Sequence, residues 1–101
     1  MDREKAIKLE IQQQLQKVDR DLKGYQVILF GSRAAGGAGP RSDFDVGIIG
    51  ERPVSLTTFY RIGDIFEAID TLYTIDWVDL NRVTPAFRRE AMETVEVLYE
   101  G

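Results

Sequence analysis

The sequence predicts a small α/β domain in which three short strands are covered by helices. Three observations predict it. Apolar residues recur at helical spacing in blocks near the start, middle and end of the chain. Between these blocks lie short runs rich in β-branched and aromatic residues, the mark of buried strands. Both kinds of element are apolar on one side, so each must bury that side against the other. At 101 residues the chain suits one domain, taken as residues 1–101.

The elements follow in order. Residues 2–23 read as an amphipathic helix, because Ile7, Ile11, Leu15, Val18 and Leu22 share one face. Gly24 suits the residue just past its end. The run YQVILFG, residues 25–31, reads as a strand. Ser32 can cap a short helix opening at Arg33, Ala34 and Ala35, and Gly36–Pro40 is a loop. Residues 43–49, DFDVGII, alternate as a strand does, with Phe44, Val46 and Ile48 on one side and Asp43, Asp45 and Gly47 on the other. Pro53 precedes a helix over 55–73 carrying Phe59, Ile62, Phe66, Ile69 and Tyr73, slightly weakened by Gly63. A third strand follows at 74–80, TIDWVDL. Thr84-Pro85 then opens a last helix over 85–99.

Composition narrows the chemistry. There is no cysteine and no histidine, which removes disulfides, thiolate nucleophiles, the usual zinc ligands and the commonest general base. The net charge of −4 argues against a general affinity for the nucleic-acid backbone. No apolar run is long enough for a membrane span and the N-terminus has no signal-peptide pattern, so a cytoplasmic protein is expected. What remains is carboxylates, hydroxyls, Arg, Lys and backbone amides.

Alternation places Asp43 and Asp45 side by side, where two ionised carboxylates repel unless a cation joins them. Mg²⁺ is commonly held by one or two carboxylates, with waters and substrate phosphates completing its shell. Alone, a D-x-D pair is far more often a solvated strand face than a metal site. Gly31-Ser32 is a common turn, yet it also lets a phosphate approach backbone amides at a helix start, with Arg33 adding charge. It is neither a Walker loop nor a dinucleotide fingerprint. The third strand adds Asp76 and Asp79, which face opposite sides, so only one can join the first pair. Burying Trp77 and keeping carboxylates out of the core favours Asp76.

The combination is Gly31-Ser32, ten residues, Asp43-Phe44-Asp45, then an acid on a third strand. It resembles the nucleotidyltransferases of the DNA polymerase beta superfamily, and the small size resembles their minimal members. The resemblance runs nearly the whole chain. It implies the small nucleotidyltransferase fold, a three-stranded mixed sheet packed by about four helices. It implies nucleotidyl transfer, AMP from ATP above all, to a hydroxyl, with two Mg²⁺ ions. Gly31, Ser32 and Arg33 then fall at nucleotide-binding positions, and Asp43, Asp45 and Asp76 at the catalytic, metal-ligating ones. Minimal members are often encoded beside a HEPN-domain protein and form a hetero-oligomer with it. Some such pairs are toxin–antitoxin systems in which the transferase adenylylates the HEPN toxin. The neutral Ala35 departs from many relatives. The alternative is a non-catalytic module that neutralises its partner by occlusion.

Overall fold

The computed structural model describes residues 2–39 and 42–101. Helix α1 spans Arg3–Gln16 and is capped by the Asp2 carboxylate, which accepts from the Lys5 amide. The expected long first helix stops here, and a 3₁₀ turn over Asp19–Leu22 completes the segment. That turn keeps Leu22 in the core with Ile7, Ile11 and Leu15. It also exposes Asp21 to pair with Arg61 at 3.0 Å.

Strand β1 (Tyr25–Phe30) leads through Gly31 into the one-turn helix α2 (Ser32–Ala35), which Gly36 ends with a left-handed φ of 83°. The loop expected over Gly36–Pro40 is followed through Gly39; Pro40 and Arg41 lie outside the described residues. Strand β2 (Phe44–Gly50) is followed by α3 (Leu56–Glu67), shorter than the expected 55–73 and capped by Ser55. Strand β3 (Ile75–Asp79) is followed by α4, with Thr84 as cap and Pro85 as first residue.

The last segment corrects the reading. Helix α4 covers only Pro85–Ala91, and Glu96–Glu100 forms a strand, β4. The sheet therefore has four strands among the described residues, not three, in the order β3-β2-β1-β4. β1 pairs antiparallel with both β2 and β4, and β2 pairs parallel with β3, so the sheet is mixed. The physical reason is twofold. Thr94, Val95 and Val97 favour extended backbone. Without β4, one side of the buried strand β1 would present unpaired amides and carbonyls. The β1–β4 ladder shifts register between Val27 and Ile28, so Leu98 is the extra residue, and it is buried.

The two sheet faces are unequal. Val27, Leu29, Phe44, Val46 and Ile48 face α1 and α3 and form the main core. The other face carries a smaller cluster of Ile28, Phe30, Leu80 and Ala91, covered by α4. Asp79 falls on the main-core side at the end of β3 and is only 5% exposed. Thus the expectation of no carboxylate inside is not met. Asp79 is accommodated because its Oδ1 accepts the Asn81 amide at 2.9 Å and its Oδ2 lies 3.3 Å from Arg82 Nε, an ionic contact without a well-aligned hydrogen bond. Asn81 in turn joins both backbone groups of Gly50, at 2.9 and 2.8 Å, extending the β2–β3 pairing by one side chain.

Candidate active site

The strand pairing sets the site. Phe30 is opposite Asp45 in the β1–β2 ladder, and Asp45 is opposite Asp76 in the parallel β2–β3 ladder. Neighbouring strands lie about 4.8 Å apart, so Asp45 and Asp76 stand side by side on the face away from the main core. Ile75 and Trp77 point the other way, and Trp77 donates to the Phe59 carbonyl at 2.9 Å while stacking on its ring. Asp79, three residues on, belongs to the opposite face and does not reach this site.

Gly31 closes the site from the β1 side. Its backbone (φ 73°, ψ −157°) lies where only glycine is comfortable. A methyl group there would sit 2.2 Å from Asp45 Oδ2. The Asp45 carboxylate is thus packed against the Gly31 backbone, and the Gly-Ser turn and the acids form one site. Ser32 follows, exposed, as the first residue of α2.

The electrostatics are those of crowded like charge. Burial, then the charges of Asp76 and Asp43, then a hydrogen bond to Asp76 push the Asp45 carboxyl above the usual aspartate range. Such a pair gains from a cation, and a parallel strand pair offering two carboxylates fits Mg²⁺, which takes its remaining ligands from water and phosphate. Asp43 is exposed, one residue before β2, close enough to add to this field. Among the described residues, no three acids are drawn into a tight metal-holding group.

A cleft of about 540 Å³ opens over Gly31, Asp45 and Asp76, with Phe30, Phe87 and Glu90 on its other wall. Phe30 and Phe87 meet edge to face at 6.2 Å. The sequence reading missed Phe87 and Glu90. They sit five and two residues before the C-terminal cap of α4, Met92, and only the folding of that helix over the open sheet face brings them to the acids. Asp43 instead borders a second depression of about 670 Å³ with Arg3, Asp70 and Tyr73. Arg33 is turned away from the cleft. Its guanidinium lies 4.1 Å over the Phe44 ring and bonds the Ser42 carbonyl and Glu4.

The fold and site together define a class: a mixed-sheet domain with an acidic cleft beside a Gly-Ser turn. Comparison places the chain within it. The family described as Polymerase beta, Nucleotidyltransferase matches residues 10–101, and the chain belongs to that family. Among solved structures, a chain of the toxin–antitoxin MntA–HepT superposes with a TM-score of 0.63 at 16% identity, covering 96% of this chain and 73% of that one. A chain of a toxin–antitoxin solved with AMP-PNP gives 0.62 at 17% identity, covering 89% and 73%. A third belongs to the tri-AMPylated Shewanella oneidensis HEPN toxin in complex with its MNT antitoxin, with 0.62 at 14% identity, covering 94% and 73%. These likenesses are of fold, and that fold is the one the minimal nucleotidyltransferase resemblance implied. No curated protein matches the sequence. Among the described residues, no helix is long and apolar enough to cross a membrane.

Proposed function

We propose that this chain is an Mg²⁺-dependent nucleotidyltransferase that moves AMP from ATP to a hydroxyl on a HEPN-type partner protein, as the antitoxin of a toxin–antitoxin pair. The observation that carries the chemistry is the contact between the Gly31 backbone and the Asp45 carboxylate, with Asp76 beside it across the strand pair. Family membership supports the reaction class. The partner rests on the structural likeness to toxin–antitoxin complexes that include a HEPN toxin.

In this reading the exposed Gly31-Ser32 turn receives the phosphates through the Ser32 hydroxyl and the amides that open α2. Asp43, Asp45 and Asp76 would hold Mg²⁺, which would offset the phosphate charge and favour the ionised acceptor oxygen. Asp76, exposed at the cleft, accepts the proton of the acceptor hydroxyl. The acceptor oxygen bonds the α-phosphorus as the bond to the β-phosphate oxygen breaks, and pyrophosphate leaves. Phe87 and Glu90 border the path by which the acceptor enters.

The test incubates the chain with labelled ATP, Mg²⁺ and the product of the neighbouring gene, which this reading expects to be a HEPN protein. The partner should become labelled, and Asp43→Asn with Asp45→Asn should lower labelling by at least about 10²-fold, the scale of removing a preorganised electrostatic group. Full labelling by the double variant would overturn the site. A second reading, neutralisation by occlusion, is favoured by one observation: among the described residues, those lining the cleft include neither Lys nor Arg to meet a triphosphate. On that reading the double variant still binds and inhibits its partner, and no nucleotide releases pyrophosphate.

A further inference from the structure

We propose that Arg33 is a positioning residue, a buried clasp that fastens the start of β2, and with it Asp43 and Asp45, to the Gly31-Ser32 turn. Its effect on catalysis rests on the transferase reading above; the clasp itself does not. Arg33 lies two residues after Gly31, and the carbonyl it grips belongs to Ser42, one residue before Asp43. One side chain therefore joins the two ends of the ten-residue connection between the halves of the site.

The geometry suits arginine and no other residue. The Arg33 side chain is only 6% exposed. Nε and Nη2 donate together to the Ser42 carbonyl at 2.9 and 2.6 Å, and Nη1 donates to Glu4 Oε1 at 3.2 Å. The flat guanidinium lies 4.1 Å from the Phe44 ring centre and 4.9 Å from that of Tyr73, and those two rings meet edge to face. A lysine ammonium has neither the planar fork nor the flat face that these contacts use. The Ser42 amide also donates to the Gly39 carbonyl, and the Ser42 hydroxyl accepts from the Gly39 amide, so the residue whose carbonyl is gripped is itself tied to Gly39.

The clasp reaches the third strand as well. The Phe44 amide donates to the Thr74 carbonyl at 2.9 Å, and Tyr73 precedes Thr74. Arg33 thus holds the point where β2 and β3 begin their pairing, one residue before Asp45 meets Asp76. On the other side Glu4 lies 3.8 Å from Lys8, which bonds Glu96 of β4 at 2.9 Å. Arg33 was expected at a nucleotide-binding position. To meet a phosphate it would have to release a carboxylate, a doubly bonded carbonyl and two aromatic faces. Its role is to set where the metal-binding carboxylates stand.

The test uses the whole chain and Arg33→Lys, with three measurements: hydrogen exchange of individual amides, Mn²⁺ affinity by EPR in place of Mg²⁺, and ATP affinity without metal. The proposal expects faster exchange at Phe44 and Asp45 with unchanged exchange in β1 and α3, and Mn²⁺ binding weakened roughly 10- to 100-fold, the usual cost of losing a residue that orients metal ligands. ATP binding without metal should not change. Unchanged exchange at 44–45 together with unchanged Mn²⁺ affinity would overturn it. So would a selective loss of ATP affinity, which would make Arg33 a nucleotide contact. Uniformly faster exchange with unaltered Mn²⁺ affinity of the folded fraction would reduce Arg33 to a stabilising residue. If Arg33→Lys does not fold, Glu4→Gln and Tyr73→Leu each loosen one arm and are read the same way. A wild type that binds neither Mn²⁺ nor ATP sinks the transferase reading, while the exchange pattern still decides the clasp.

Discussion

Gly31 illustrates what a residue can and cannot disclose. Its place after a strand suggests room for a phosphate. The structure adds that the same bare Cα admits the carboxylate of Asp45. Gly31→Ala therefore meets two obstacles. The backbone conformation costs about 1–3 kcal/mol for any other residue, and the new methyl displaces Asp45. Urea unfolding should show a loss of at least that size, with metal binding lost alongside. Gly63 behaves oppositely. A methyl there meets only Trp77 Cδ1, at the ordinary contact distance of 3.4 Å. Gly63→Ala should raise stability by about 0.5–1 kcal/mol through helix propensity, read from the same unfolding curves. Asp45 carries a pH signature. Its carboxyl is raised in the folded state, so the fold binds that proton more tightly than the unfolded chain does. The favourable contribution is complete below the ordinary aspartate range and lost as pH rises through the folded-state value. Metal-free Asp45→Asn should melt higher than wild type at neutral pH, and the gap should close as the pH falls below about 4, the ordinary aspartate value. A gap that widens in acid would refute the crowding of these acids.

At the scale of elements, alternation and helical spacing made most of the architecture legible. β1, β2 and β3 fall within a residue of where YQVILFG, DFDVGII and TIDWVDL predict them, because each pairs a β-branched or aromatic run with flanking turn residues. β4 was not legible as a strand. EVLYE follows a helix without a glycine or proline to mark the break, and its extended form depends on pairing with the distant β1. Asp79 was illegible for a related reason. Nothing local says that Arg82 returns to meet it, or that Asn81 reaches Gly50 across the strand ends. Those contacts make a prediction for the far end of the sheet. Asn81→Ala removes two hydrogen bonds to Gly50 and should cost about 1–2 kcal/mol. Because Gly50 lies at the opposite end of β2 from Asp45, Mn²⁺ affinity should be unchanged. A parallel loss of metal binding would mean that strand register, rather than local contacts, holds the acids in place.

For the whole molecule, the uneven clothing of the sheet places the acidic cleft on its thin side. α1 and α3 bury one face in the main core, while the other is shared between a small apolar cluster under α4 and the open cleft over Asp45 and Asp76. Alternation set the acids opposite the core face of β2, yet it could not say that α4 would leave their side partly open, because that follows from where α4 packs. A chain of net charge −4 with like charges massed in one cleft carries an electrostatic cost that a bound cation relieves, and binding to the folded state alone stabilises it by mass action. On the transferase reading, at a Mg²⁺–ATP concentration of roughly 100 times the dissociation constant the gain is about 2.7 kcal/mol. In a domain of this size each kcal/mol raises the melting temperature by about 4–8 °C, so a rise of roughly 10–20 °C is expected by scanning calorimetry. EDTA should reverse the metal-dependent part of it. Asp45→Asn with Asp76→Asn should melt at the same temperature with and without Mg²⁺–ATP, because the carboxylates that distinguish the loaded fold from the empty one are gone. A shift of wild-type size in that double variant would place the nucleotide elsewhere on the molecule, and the 670 Å³ depression beside Asp43 and Arg3 would be the next surface to mutate.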